Sequence, residues 1–468
     1  MTVPLPPDEA AVLLAEHCVR TGFDDLPASA VAATKHQLID TLGIALAGAR
    51  QPGAKELREF TIEMGGKPES RIWGTDIRVP AQDAARVNAT MTHALDYDDT
   101  YERSFVHPAA VTVPAALAVA DLLGGVSGTS LITAVALGVD LGCRLADAAR
   151  PGVTGFLHGW HNTTLYGYFA STVVAGKLLG LDREQFVSAL GIAYQQASGN
   201  SQAHVDGALT KRMGPGFASY GGILSARLAQ RGIQGATGVF EGMRGFFFQY
   251  HDNDYSREIL LQDLGTRFCG SDVSFKPWPS CRGSHTAADA ALSLFGERTI
   301  AAGDVESIVI ANNPGDHALL ASPIEKKRMP PTPVDAQFSN PWVVAAALVD
   351  GKIALSHFTE EAIAREDLHE VTSRITTTVD ESLVREGGGP GAARIDVRLS
   401  DGSTRSATVA FAKGEPGNPM SPDEFCQKFL DCTALAGMGA HRAGEIFARI
   451  QELEMVNDAS RLTADAIL

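Results

Sequence analysis

Cysteine is scarce in this sequence. Six residues (Cys18, Cys143, Cys269, Cys281, Cys426 and Cys432) are scattered over 468 positions. No two form a C-x-x-C pair, so the usual zinc-knuckle and dithiol patterns are missing, and an iron–sulfur cluster would need three or four ligands close together. Positive charge is also in deficit. Lysine and arginine number 39 against 55 aspartates and glutamates, a formal charge of −16. That balance argues against nucleic acid or an anionic membrane as partner, because both need a broad basic surface. It leaves room for a small anionic substrate, which needs only a local basic pocket. The apolar stretches at 108–125 and 130–146 are interrupted by Asp121 and Asp140. Neither reaches an uninterrupted run of about 18 apolar residues, so both read as buried helices. The first residues, MTVPLPPDEAAVL, show no basic region leading into an apolar core, and a reducing cytoplasm is the expected compartment. P-loop, dinucleotide-binding, H-E-x-x-H and G-x-S-x-G patterns are missing too. No metal-ligand spacing is visible, and a cofactor-free protein is expected.

With 45% hydrophobic and 20% charged residues, the chain has ample material for a core. Its length suggests two or three domains. The first 250 residues carry apolar residues at helical spacing, predicting helices near 8–20, 28–48, 54–64, 81–96, 108–123, 129–149, 163–179, 183–198 and 217–231. Asp182 with Gln185 forms a capping box, and Gly180 stops the preceding helix. No strand alternation is visible there. Near residue 271 the character changes. Strands are predicted at 305–311, 375–379, 395–399 and 406–411, with Asp401-Gly402 as a hairpin turn. Helices are predicted at 286–296 and 342–349, and GGGPG (387–391) as a loop. After GEPGNP (414–419), Ser421, Pro422 and Glu424 open another helix. The expected architecture is mainly α with an inserted α+β domain. Residues 1–270 and 418–468 form the all-helical domain, and 271–417 the smaller one.

Four segments place polar residues where a scaffold does not require them. In THALDYDDTYERSFVHP (92–108), a helix would put His93, Asp96 and Thr100 on one face, with His107 following. Three acids at a helix C-terminus oppose its dipole. They suit either a solvated acidic turn or a carboxylate–histidine pair for proton transfer. In GWHNTTLYG (159–167), His161 stands at a helix start among unsatisfied N–H groups, an anion-binding position or simply a turn closure; His158 is less distinctive. In ALTKRMGPGFAS (208–219), Lys211 and Arg212 precede a helix whose dipole disfavours them. An anionic ligand relieves that, unless both are solvated surface cations. In FKPWPSCRGSH (275–285), two prolines stiffen a loop carrying Lys276 and Arg282, with Cys281 and His285 beside them. Cys281 reads as a thiol acid or base or, more simply, a packed thiol.

At these segments the sequence resembles the MmgE/PrpD family throughout its length. HALDYDDT with the later His107-Pro108, GWHNT, KRMGPG and FKPWPSCRGSH carry the resemblance, with FSNPWVVAAALVDG (338–351) and GEPGNPMS. The family includes 2-methylcitrate dehydratases, cis-aconitate decarboxylases and iminodisuccinate epimerases. The resemblance implies a large helical domain, a smaller α+β lid, a cleft between them and a homodimer. By motif it implies active-site roles for Asp96, Thr100, His107, His161, Lys211 and Lys276. Two positions depart from the decarboxylase pattern. Cys281 stands where those enzymes carry a histidine, and Trp342 where they carry a tyrosine. Both point away from cis-aconitate decarboxylation.

The shared chemical problem is loss of a proton or carbon dioxide beside a carboxylate, which leaves an enolate-like dianion. Lys211, Arg212, Lys276 and Arg282 are the candidates to stabilise it. His161, Asp96 and His107 are the candidates for acid–base work. The expected function is a metal-independent hydro-lyase on a small di- or tricarboxylic acid such as 2-methylcitrate. The alternatives, in order, are a dicarboxylate epimerase, a cis-aconitate decarboxylase and a non-catalytic carboxylate binder. Differences in substrate are expected to arise in GGGPG and in 317–333.

Overall fold

A computed structural model describes residues 8–149, 159–386 and 390–468. His158 and the three glycines of GGGPG at 387–389 lie outside the described residues. The chain divides into two compact units, residues 1–273 with 421–468, and residues 274–420.

The first unit is built from helices whose contact faces are lined with small residues. Its long members are Ala28–Gly48, Ala81–His93, Ala109–Leu123, Gly128–Ala148, Asn162–Leu178, Arg183–Gln196 and Thr210–Gln230. A Cβ on Gly222 would strike Ser171, so only glycine lets Thr210–Gln230 come this close to Asn162–Leu178. At this approach the hydroxyls bond across helices: Ser171 Oγ donates to the Ala218 carbonyl at 2.8 Å and Ser219 Oγ to the Val111 carbonyl at 3.0 Å. Each polar group thus enters the core with a partner and escapes the cost of burial unsatisfied. Gly128–Ala148 is long and apolar enough to cross a membrane by length and composition, but it lies buried in this core. Its Asp140 is neutralised in place by Arg144 Nε at 2.7 Å and accepts the Cys269 N–H at 2.8 Å.

The capping boxes form as the side-chain chemistry requires. Asp182 Oδ1 accepts from the Gln185 N–H at 2.8 Å, and Gln185 Oε1 accepts from the Asp182 N–H at 3.1 Å. Ser421 and Glu424 make the same reciprocal pair at the start of Pro422–Ala436. That helix returns to the first unit. The Phe429 ring lies over Gly43, and Lys428 Nζ reaches Asp40 Oδ1 at 2.6 Å.

Three local expectations fail. A short antiparallel pair, β1 (Ser70–Arg71) with β2 (Arg78–Val79), lies in the half expected to be free of strands. The helix expected over 81–96 ends at His93, so His93, Asp96 and Thr100 do not share a helical face. Continuing it would have placed three carboxylates on the negative end of the dipole. Asp96 instead takes a left-handed conformation (φ +51°) and turns the chain. The helix expected from 217 begins at Thr210 and runs through Gly214-Pro215-Gly216. Packing outweighs the proline penalty of about 3 kcal/mol, because Gly216 lets this helix sit against the Arg86 carbonyl and Thr90.

The second unit carries a four-stranded mixed sheet in the order β4-β3-β5-β6, where β3 is Val305–Asn312, β4 Ile375–Val379, β5 Ala393–Leu399 and β6 Thr404–Val409. β3 runs parallel to β4 and antiparallel to β5, and β5 and β6 form the hairpin. Its turn closes through Gly402 at φ +82°, with the Leu399 N–H donating to the Ser403 carbonyl. Ile308, Ile310, Ile395 and Val397 pack with the helices His285–Phe295 and Asn340–Asp350. Trp342 is a core residue here, fully buried, and its Nε1 donates to the His357 carbonyl at 2.9 Å.

Candidate functional site

Four imidazoles from separate segments of the first unit meet in a row. His93 ends one helix and His107 closes the following loop. His161 is the N-cap of Asn162–Leu178, and His204 sits in the short helix Gln202–Asp206. Ring centroids are 5.0 Å apart for His93 and His107, 5.7 Å for His93 and His161, and 5.0 Å for His161 and His204. Lys211 enters from the first turn of Thr210–Gln230 and places Nζ 2.7 Å from Asp96 Oδ1.

The acidic turn of 96–99 is buried, not solvated, and each carboxylate has its own partner. Asp96 takes Lys211. Asp98 Oδ2 accepts from His93 Nδ1 at 2.6 Å and lies 3.6 Å from His107 Nδ1. Asp99 accepts the Ala109 N–H at the start of Ala109–Leu123, the favourable end of that helix dipole. His107 Nδ1 faces the Asp99 carbonyl at 2.5 Å and Thr100 Oγ1 at 3.3 Å. A carbonyl only accepts, so the Nδ1 proton is held there and Nε2 keeps its lone pair. By the same logic His93 carries its proton on Nδ1, facing the Asp98 carboxylate. His93 Nε2 is buried without a hydrogen-bond partner. His161 Nδ1 is fixed by Thr164 Oγ1 at 2.6 Å.

Burial keeps His93, His161 and His204 of this row uncharged. It lowers His93 below the ordinary histidine value, against the pull of Asp98. His161 is pushed well down by burial, then by His204, His93 and Lys211. His204 falls to about 3, through burial first and Lys211 second. Neutral imidazoles are proton acceptors, so the arrangement supplies bases beside one fixed cation.

Of the residues expected from sequence, Asp96, Thr100, His107, His161 and Lys211 gather in this cluster. Arg212 is adjacent in sequence but buried, and its Nη1 donates to the Pro52 carbonyl at 2.8 Å. The other four lie in the second unit. Lys276 is almost wholly buried. Arg282 Nη1 donates to His285 Nδ1 at 3.0 Å and to the Lys413 carbonyl at 2.8 Å, and its Nη2 lies 3.7 Å from Glu415 Oε1. His285 Nε2 donates to the Ser280 carbonyl at 3.3 Å, which frees Nδ1 to accept from Arg282. Cys281 is half-buried, and its N–H donates to the Gln337 carbonyl at 2.9 Å.

Sequence reasoning left His93 and His204 outside the site. His93 stands in the quoted motif, where its pairing with Asp98 depends on the turn at Asp96. His204 sits in SQAHVDG, which has no pattern to mark it. Among the described residues no three histidine, cysteine, aspartate or glutamate side chains are grouped to hold a metal ion.

The N-terminal domain of the MmgE/PrpD family matches residues 12–258, and its C-terminal domain matches residues 278–452. The chain belongs to the MmgE/PrpD family. Within it, the sequence is 26% identical over 459 residues to a cis-aconitate decarboxylase of Aspergillus terreus, covering 94% of this chain and 91% of that one. It is 27% identical to the human cis-aconitate decarboxylase, covering 92% and 89%. It is 23% identical to a 2-methylcitrate dehydratase of Cupriavidus necator, covering 85% and 84%. Both kinds of relative are lyases. The four-imidazole row and the Lys211–Asp96 pair lie within the matched N-terminal domain.

Proposed function

We propose that this MmgE/PrpD protein is a lyase acting on a small di- or tricarboxylic acid. In this reading it removes a proton beside a carboxylate and expels a hydroxyl, as a 2-methylcitrate dehydratase does. The observation that carries the reading is the Lys211–Asp96 pair, 2.7 Å apart, set among neutral imidazoles. Loss of the proton turns the adjacent carboxylate into an enolate-like dianion. A fixed ammonium in a site poor in water lowers the energy of that charge without reorganising. His161 or His107 takes the proton, each held in one orientation through Nδ1. Asp96 holds Lys211 in place through that contact.

A second reading is cis-aconitate decarboxylation, favoured by the 94% coverage of the Aspergillus decarboxylase match. It leaves the same dianion, with carbon dioxide departing in place of a proton. The purified protein is incubated separately with 2-methylcitrate and cis-aconitate, and both alkene absorbance and released carbon dioxide are followed. Alkene formation from 2-methylcitrate supports dehydration, and carbon dioxide from cis-aconitate supports the second reading. Turnover of neither, with or without added iron, overturns both substrates. His161→Ala and Lys211→Ala are expected to cut turnover by about 10²–10⁴-fold, the usual scale for losing an acid–base group. Unchanged turnover in both variants overturns the site assignment.

A further inference from the structure

We infer that His204 is a specificity-determining residue that hydrogen-bonds the hydroxyl group of a hydroxy-acid substrate. The inference rests on the carboxylate reading above and narrows it.

His204 closes the row of imidazoles at the end away from His93, with its ring 5.0 Å from that of His161. On its five-residue helix the next residue, Val205, is 78% exposed. His204 turns the other way: its Nδ1 is shielded from solvent and has no hydrogen-bond partner in the protein. Its electrostatic neighbours are Lys211, His93, Asp96 and His107, the same groups that make up the candidate site. A solvent-shielded ring nitrogen without a partner is costly unless a ligand completes it.

The chemistry of that ligand follows from the ring's neutrality. A carboxylate gains most from a cation, and Lys211 already provides one. A neutral imidazole has one donating and one accepting nitrogen, and a hydroxyl satisfies either. A site that hydrogen-bonds a hydroxyl discriminates against the analogue lacking it, because the buried polar group is then left unpaired. His204 therefore selects for the hydroxyl, and Lys211 for the carboxylate.

Citrate and tricarballylate test this, since they differ by one hydroxyl. Their dissociation constants are measured by calorimetry on the full-length wild-type protein and on His204→Leu and His204→Asn. The wild type is expected to bind citrate at least tenfold more tightly than tricarballylate. His204→Leu abolishes that preference by weakening citrate alone. His204→Asn, which keeps an amide near the position of Nδ1, restores part of it. A merely structural role for His204 would weaken both acids together. If both bind the wild type and the preference survives in His204→Leu, the His204 assignment falls and the carboxylate reading stands. If the wild type holds neither acid, the carboxylate reading fails and the assignment falls with it.

Discussion

Lys211 and Asp96 are 115 positions apart in the chain, yet Lys211 Nζ lies 2.7 Å from Asp96 Oδ1 in surroundings nearly closed to solvent. The contact depends on Asp96 occupying a left-handed conformation, which turns the chain just after the Ala81–His93 helix ends.

Asp96→Asn therefore isolates the charge. Asparagine tolerates positive φ well, so the turn survives while the carboxylate is lost. We expect kcat/KM to fall by about 10²–10⁴-fold. Stability should also drop, by about 3 kcal/mol, because Lys211 is left buried without its counter-charge. Steady-state kinetics and urea unfolding check the two effects separately.

Gly214→Ala tests how closely two helices must approach. A Cβ there would collide with Thr164 Oγ1 and lie 2.8 Å from His161 Nδ1, the two atoms that fix the His161 ring. The backbone of residue 214 is helical, so alanine should suit it locally and fail only through this collision. We expect turnover to fall by about tenfold or more with a smaller change in melting temperature. A fully active Gly214→Ala would show that the His161–Thr164 bond has no part in positioning the ring.

Acid should destabilise the protein through the same imidazoles. Burial lowers His93, His161 and His204 in the folded chain, the last to about 3, against 6.5 when unfolded. For His204, between about pH 3 and 6.5 the unfolded chain holds a proton that the folded one does not. Stability then rises with pH across that window and is lost as the pH falls below 6.5. One full proton of difference amounts to about 1.4 kcal/mol per pH unit. Melting temperatures between pH 7.5 and 5 should fall, and fall less steeply in His204→Asn. An equal slope in that variant would contradict the depressed value assigned to His204.

In the second unit, Glu415 is buried between two arginines, with Arg385 Nη1 2.7 Å from Oε2 and Arg282 Nη2 3.7 Å from Oε1. Oε1 also accepts the Ala412 N–H at 2.9 Å. Glu415→Gln keeps the shape and removes the charge. We expect a loss of about 3 kcal/mol, the usual cost of leaving a buried cation without its partner, visible in urea unfolding.

The sequence alone determined what depends on near neighbours in the chain. Helical spacing, the Asp182–Gln185 and Ser421–Glu424 capping boxes and the Asp401-Gly402 turn are local chemistry, completed within a few residues. The motif segments carried Asp96, Thr100, His107, His161 and Lys211 for the same reason. Tertiary structure decided what depends on approach between distant segments. It ended one helix at His93, because the dipole and the buried acids oppose its continuation. It carried another through Pro215, because glycine packing against Arg86 and Thr90 outweighs the proline penalty. It also brought His204, from a segment with no motif, to 5.0 Å from His161. Periodicity reports which face of a helix is apolar, but not which polar side chain from another helix will meet it. The lowered proton affinities of His93, His161 and His204 follow from that meeting, since burial and the Lys211 charge contribute to each.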